Sequence, residues 1–213
     1  MRKWRLPSRI NRHTCPTTGW PTARCMTVNA SHSAAADNGA GTGNETGANT
    51  ATGPRIVVMG VSGCGKTTIG ALVADALNVP FVDGDSLHPV SNIAKMAAGT
   101  PLTDTDRWPW LAVVGTALAD SDGPGLVLAC SALKRSYRDA IRAQAPETLF
   151  LHLHGSREVL GSRLEGRSGH FMPTTLLDSQ LGTLEPLARD EAGFVADINL
   201  PVDQIVAQAV ARL

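Results

Sequence analysis

The sequence has no surplus of either charge. Its 19 Lys and Arg side chains oppose 19 Asp and Glu in 213 residues. A neutral total speaks against a dedicated nucleic-acid binder or a polybasic membrane protein. Aromatic residues are scarce at 4%, so the core must be mostly aliphatic. No apolar run approaches the roughly 20 residues of a membrane span. The expectation is therefore a cytoplasmic protein with no membrane partner and no specific nucleic acid. Four cysteines are too few to staple a secreted scaffold of this size. Cys15 and Cys25 lack the partnering histidine spacing of a zinc site, and Cys130 ends an apolar run as a small hydrophobe.

The zero is a sum of two unlike parts. Residues 1–53 carry six basic and two acidic groups, and residues 37–53 are almost wholly Gly, Ala, Thr and Asn. Such a stretch buries too little apolar surface to offset its ordering entropy. It reads as a linker behind an Arg-rich arm. The arm has the composition of a transit peptide or an anionic-surface arm. The plainer reading, preferred here, is an unstructured and dispensable extension, with Met26 as another possible start. Residues 54–213 carry thirteen basic and seventeen acidic groups and form the expected folded domain.

From Arg55 onward, short β-branched runs alternate with helical periodicity. Strands are expected at 56–59, 80–85, 126–130, 148–153 and 194–199. Helices are expected at 66–77, 89–98, 109–119, 133–143, 156–166 and 201–213. Strict alternation implies a parallel sheet wrapped by helices.

The first strand runs into Gly60-Val-Ser-Gly63-Cys-Gly65-Lys66-Thr67, a match to G-x-x-x-x-G-K-[ST] between strand and helix. Glycines let backbone N–H groups turn inward around phosphates. The helix that follows presents its positive end to the anion. Lys66 supplies a mobile point charge for the β- and γ-phosphates, and Thr67 offers a hydroxyl to Mg²⁺. Cys64 reads as a small spacer. The domain has ten arginines but only three lysines, which sharpens Lys66, since an ammonium does not interchange with a guanidinium.

The second strand ends in Asp83-Gly-Asp85. Strand carboxyl ends line the ligand crevice of such sheets. One carboxylate can hold Mg²⁺ through water, and the other can accept the proton of an attacking hydroxyl. The third strand runs into Ser131-Ala-Leu-Lys134-Arg-Ser-Tyr137-Arg138, a hydroxyl and several cations. No Walker-B carboxylate stands there, which points to a small kinase rather than an NTPase switch. His152 and His154 face one way on a strand, but no acid or cysteine completes a metal set. Trp108 and Trp110 read as packing residues.

The segments DGDSLHPVSNIAKMAAGTPLTDTDRWPWL, CSALKRSYRD and RLEGRSGHFMP together closely resemble the bacterial-type, thermoresistant gluconokinase family, from Arg55 to the C-terminus. The resemblance implies an α/β fold shared with shikimate kinase: a three-layer P-loop kinase with a five-stranded parallel sheet and a mobile lid near 163–175. It implies transfer of the γ-phosphoryl of ATP, with Mg²⁺, to the 6-hydroxyl of D-gluconate, feeding the pentose phosphate pathway. It also implies a homodimer. Position by position, it makes Gly60, Val61, Ser62, Gly63, Cys64, Gly65, Lys66, Thr67 and Thr68 the ATP phosphate site. Asp83 falls on the metal side with Thr67, and Asp85 on the substrate side. His88, Arg107, Ser131, Lys134, Tyr137 and Arg138 match positions facing the sugar acid. Arg163 and Arg167 match lid arginines that close on the transferring group.

Overall fold

The computed structural model describes residues 53–121, 123, 125–166 and 174–212. Five parallel strands, β1 (Arg55–Met59), β2 (Phe81–Asp83), β3 (Leu126–Ala129), β4 (Leu149–His154) and β5 (Gly193–Asp197), lie in the order β2-β3-β1-β4-β5. The helices are α1 (Lys66–Leu77), α2 (Val90–Ala97), α3 (Asp104–Ala119), α4 (Arg135–Gln144), α5 (Arg157–Glu165), α6 (Thr174–Thr183) and α7 (Val202–Val210). The residues of β1 alternate between two buried faces, as a strand covered on both sides must. Ile56 and Val58 pack with Ile69 and Val73 of α1, Leu160 of α5 and Ile205 of α7. Val57 and Met59 pack with Leu111, Val114 and Leu118 of α3 and Ile141 of α4. This is the expected three-layer α/β fold, with its aliphatic core in two sheets of contact.

Because every strand is parallel, all five carboxyl ends open on one edge. The β1–α1 loop, the segment after β2 and the segment after β3 therefore meet there. Gly60 N–H donates to Ser131 O at 3.2 Å and stitches the first of these to the third.

Three elements depart from the expected pattern. β2 stops at Asp83 rather than 85, because the Asp83 carboxylate accepts the Asp85 N–H and caps a 3₁₀ turn over Gly84–Leu87. α3 begins at Asp104, five residues before Pro109. A capping box decides this start: Thr103 Oγ1 accepts the Asp106 amide, and Asp106 Oδ2 accepts the Thr103 amide at 2.9 Å. Pro109 sits within the helix instead of at its first turn. α6 was not anticipated, since Thr174, Thr175, Gly182 and Thr183 are poor helix formers. It forms by docking: Leu177 is buried, and Asp178 takes a bidentate pair from Arg157 of α5, at 2.6 and 2.9 Å. Among the described residues no helix is long and apolar enough to cross a membrane.

Candidate active site

The phosphate loop is built as its glycines suggest. Gly60 has φ +138°, and a Cβ there would meet Leu153 O and Cys64 Sγ, each at 2.8 Å. Gly63 has φ +82° and sits against Leu164 of α5. α1 then starts from Gly65 with no side-chain cap and no acid in its first turn. Its first amides thus lack a side-chain partner, the condition in which a helix N-terminus receives an anion. Lys66 Nζ reaches back across the loop to Val61 O at 3.0 Å. Thr67 and Thr68 are exposed on the open side. Cys64 is buried, and burial pushes its thiol up against the pull of Lys66 and Arg163. It remains a neutral thiol, in keeping with a spacer.

Thr67 Oγ1 donates to Asp83 Oδ2 at 3.0 Å, while Asp83 Oδ1 accepts the Asp85 amide at 3.1 Å. One carboxylate thus joins the phosphate loop to the turn that carries Asp85. Asp85 itself is exposed into the crevice. Trp110 Nε1 donates to Gly84 O at 2.8 Å and fixes that turn from below. His88 stacks on Trp110 with centroids 4.1 Å apart, and its Nδ1 faces Asn92 Nδ2 at 3.3 Å. Burial holds His88 below its ordinary pKa, with Asp85 pulling the other way. A neutral ring accepting from Asn92 through Nδ1 carries its proton on Nε2.

Beyond this turn, α3 and α4 bring their N-terminal ends together. Asp104 accepts from Lys134 Nζ at 2.7 Å, Tyr137 Oη at 2.5 Å and Arg107 Nη1 at 3.5 Å. Arg107 and Lys134 both lie over the Tyr137 ring, 5.8 and 5.3 Å from its centroid. Three of the residues expected to face a sugar acid are thereby one cluster. Ser131 stands at the end of β3, half-buried beside the phosphate loop.

Arg138 departs from its expected place. It is wholly buried, pairs with Glu191 at 2.6 and 2.8 Å, and donates to the carbonyls of Ala132, Leu133, Glu185 and Pro186. Every guanidinium direction is spent on the protein, and none is left for a ligand. An arginine one turn from Lys134 on an amphipathic helix points inward, and the sequence holds Glu191 ready to meet it. Burial would raise the Glu191 carboxyl, but Arg138 and the Ala188 amide hold it below the usual range. Arg163, at the end of α5, donates to Ile198 O at 2.7 Å, beside the phosphate loop. Arg167 and most of the expected lid lie outside the described residues.

Sequence reasoning missed several residues. Asp104 was passed over as one acid among several in DTDR. Gln180, on the unanticipated α6, accepts the Ser62 amide at 2.7 Å through Oε1. Glu185 accepts the Arg135 amide at 2.6 Å and serves as a distant cap for α4. His152 and His154 do face one way, 5.8 Å apart, with His152 buried and His154 exposed. Among the described residues no group of three His, Cys, Asp or Glu is placed to hold a metal ion.

The shikimate kinase family model matches residues 62–210. The thermoresistant gluconokinase of Escherichia coli K12 is 43% identical over 157 residues, covering 72% of this chain and 90% of that protein. A gluconokinase of Gluconobacter oxydans is 51% identical over 138 residues, covering 64% and 78%. The crystal structure of a gluconokinase from Sinorhizobium meliloti 1021 superposes with a TM-score of 0.69 at 50% identity, covering 75% of this chain and 90% of that one. The chain belongs to the gluconokinase family, within the shikimate kinase fold. As in other P-loop kinases, a gluconokinase of this architecture has its nucleotide loop and acceptor pocket on the same sheet edge. Here Thr67 of the phosphate loop and Asp83 at the end of β2 are hydrogen-bonded at that edge.

Proposed function

We propose that this chain transfers the γ-phosphoryl group of ATP to the 6-hydroxyl of D-gluconate, giving 6-phospho-D-gluconate and ADP. The observation that carries this reading is the Thr67–Asp83 hydrogen bond. It ties the phosphate loop to the turn that carries Asp85, and Trp110 of α3, the helix that carries Arg107, hydrogen-bonds the same turn, which supports reading them as one site. The family membership supplies the acceptor.

Gluconate is an anion with many hydroxyls. Its carboxylate suits Arg107 and Lys134, and its hydroxyls suit Tyr137, His88 and Ser131. With the acid end held there, the far hydroxyl lies toward Asp85. Asp85 orients that hydroxyl and accepts its proton as the phosphoryl group transfers. Gly60 to Thr68 cradle the phosphates, and Lys66 follows the charge onto the γ-phosphoryl oxygens. Arg163 and Arg167 act as lid arginines over the transferring group. Arg138 braces the acid pocket from behind, without touching substrate. The Thr67 hydroxyl and Asp83 carboxylate are hard oxygen donors of the kind Mg²⁺ takes alongside phosphate oxygens and water. Bound there with ATP, Mg²⁺ would neutralise charge on the β- and γ-phosphates.

The test is an acceptor panel: full-length protein and MgATP with gluconate, shikimate, glucose or AMP. ADP release with gluconate is the expected result. ADP release only with another acceptor would sink the reading. The family resemblance also supports a cytoplasmic homodimer whose activity resides in residues 54–213. Light scattering should give twice the chain mass, and deleting residues 1–53 should leave turnover and melting temperature nearly unchanged. A monomeric mass, or a large loss on deletion, would overturn these two points.

A further inference from the structure

The acid-binding cluster contains an acid of its own. Asp104 is the first residue of α3, yet the shortest hydrogen bonds to its carboxylate come from the start of α4. Oδ2 accepts from Lys134 and Oδ1 from Tyr137, both on the approach to or in the first turn of α4, while Arg107 reaches it from one turn along α3. Lys134 and Arg107 are each about a third exposed and retain donors that Asp104 does not use. Hydrogen bonds from Lys134 and Tyr137 hold the Asp104 carboxyl below the usual carboxylate range, and burial raises the Tyr137 phenol. At neutral pH the cluster is therefore two cations, one carboxylate and one neutral phenol. Nearby, Lys95 and Asp106 are matched to each other at 2.6 Å, while Asp85 and Arg107 both act on His88.

We infer that Asp104 is a specificity-determining residue: it lowers the acid receptor from two net positive charges to one, and so lowers its preference for a dianionic head over a monoanionic one. This rests on the reading that Arg107 and Lys134 receive the sugar-acid carboxylate. A bare pair of cations would favour a phosphate head over a carboxylate, because each added charge gains from both. One resident carboxylate cuts that advantage to about half, since the added charge then gains from one net positive charge instead of two. It also repels any second negative charge brought to the same head, which is how sites reject close analogues.

The probe is a hexitol 1-phosphate, which has a dianionic phosphate at one end and a free primary hydroxyl at the other. Its kcat/KM, or its inhibition constant against gluconate if it is not turned over, is compared with gluconate for each variant. Asp104→Asn should shift the ratio toward the phosphate head by about tenfold, the size of effect that one neighbouring charge produces in a partly exposed site. Asp104→Glu, which keeps the charge, should retain the wild-type ratio. Lys134→Gln, which lowers the receptor to zero, should shift it the opposite way and serves as the second arm if Asp104→Asn melts too low. A shift below threefold in Asp104→Asn, or an equal shift in Asp104→Glu, overturns the inference. The parent reading fails separately: wild-type protein would not turn over gluconate, or Arg107→Ala and Lys134→Ala would leave the gluconate KM unchanged.

Discussion

Gln180 Oε1 accepts the Ser62 amide of the phosphate loop at 2.7 Å, across 118 residues of sequence. Ser62 lies between Gly60 and Gly63 of the phosphate loop, and Gln180 takes its N–H. A neutral carboxamide satisfies that amide without opposing an incoming anion. Gln180→Glu keeps an acceptor there but sets a negative charge beside the triphosphate. The ATP KM should rise about tenfold or more, as a like charge in a partly buried site requires, with the gluconate KM changed less than twofold. Gln180→Ala should show a smaller rise. Initial-rate kinetics against each substrate separate these outcomes.

Lys66 lies across the loop on Val61 O. From there its ammonium can move onto phosphate oxygens without a change of backbone. Lys66→Ala should lower kcat by about 10³ or more, in the range of other charge-stabilising groups removed from phosphoryl-transfer sites. Lys66→Arg should not rescue it, since a planar fork does not fit where a point charge is needed. If Asp85 accepts the proton of the gluconate hydroxyl, as proposed, Asp85→Asn should lower kcat far more than it weakens ATP binding. Turnover near wild type would remove Asp85 from proton acceptance.

Arg138 and Glu191 form a buried ion pair that ties α4 to the segment before β5. Breaking such a pair leaves an uncompensated charge, at a cost of about 3–5 kcal/mol. Glu191→Ala should therefore lower the melting temperature by on the order of 10 °C for a domain of this size. The gluconate KM of whatever remains folded should change little. If Arg138 touched the substrate after all, Arg138→Lys would raise that KM steeply at unchanged stability.

The residues that repeat a backbone pattern were legible in the sequence. β1, the phosphate loop and α1 follow from β-branched residues, glycine spacing and an uncapped helix start, all of them local. The family resemblance, not local pattern, puts Thr67 and Asp83 on one side of the site, and their side chains are hydrogen-bonded. What escaped depends on tertiary contacts. The thirty-residue span from Asp104 to Lys134 carries no periodicity that joins its two ends. α6 owes its existence to Leu177 burial and the Arg157–Asp178 pair rather than to its threonine-rich sequence. Arg138 looked like a ligand group because the neighbouring Lys134 and Tyr137 do. Tyr137 is buried too; what separates Arg138 is that its guanidinium is spent on Glu191 and on four backbone carbonyls. At Pro109 a general preference for the first helical turn competed with the Thr103–Asp106 capping box, and the box prevailed because it satisfies two amides at once.

His152 is buried, and neither ring nitrogen has a hydrogen-bond partner among the described protein groups. Burial, with His154 and Arg138 adding like charge, lowers its pKa from 6.5 to about 4. The unfolded chain therefore binds a proton below pH 6.5 that the folded chain refuses until about pH 4. The neutral ring's contribution is fully present above pH 6.5 and is lost as the pH falls through that window. Each unit of offset is worth about 1.4 kcal/mol, so the loss across the window from 6.5 to about 4 is on the order of 3–4 kcal/mol. Chemical denaturation at pH 7.5, 6.0 and 5.0 should show falling stability in the wild type. In His152→Gln, which has no titrating ring, that part of the slope should vanish while the carboxylate-driven fall at lower pH remains. An unchanged slope between pH 7 and pH 5 in His152→Gln would show that folding leaves the ring's proton affinity unshifted.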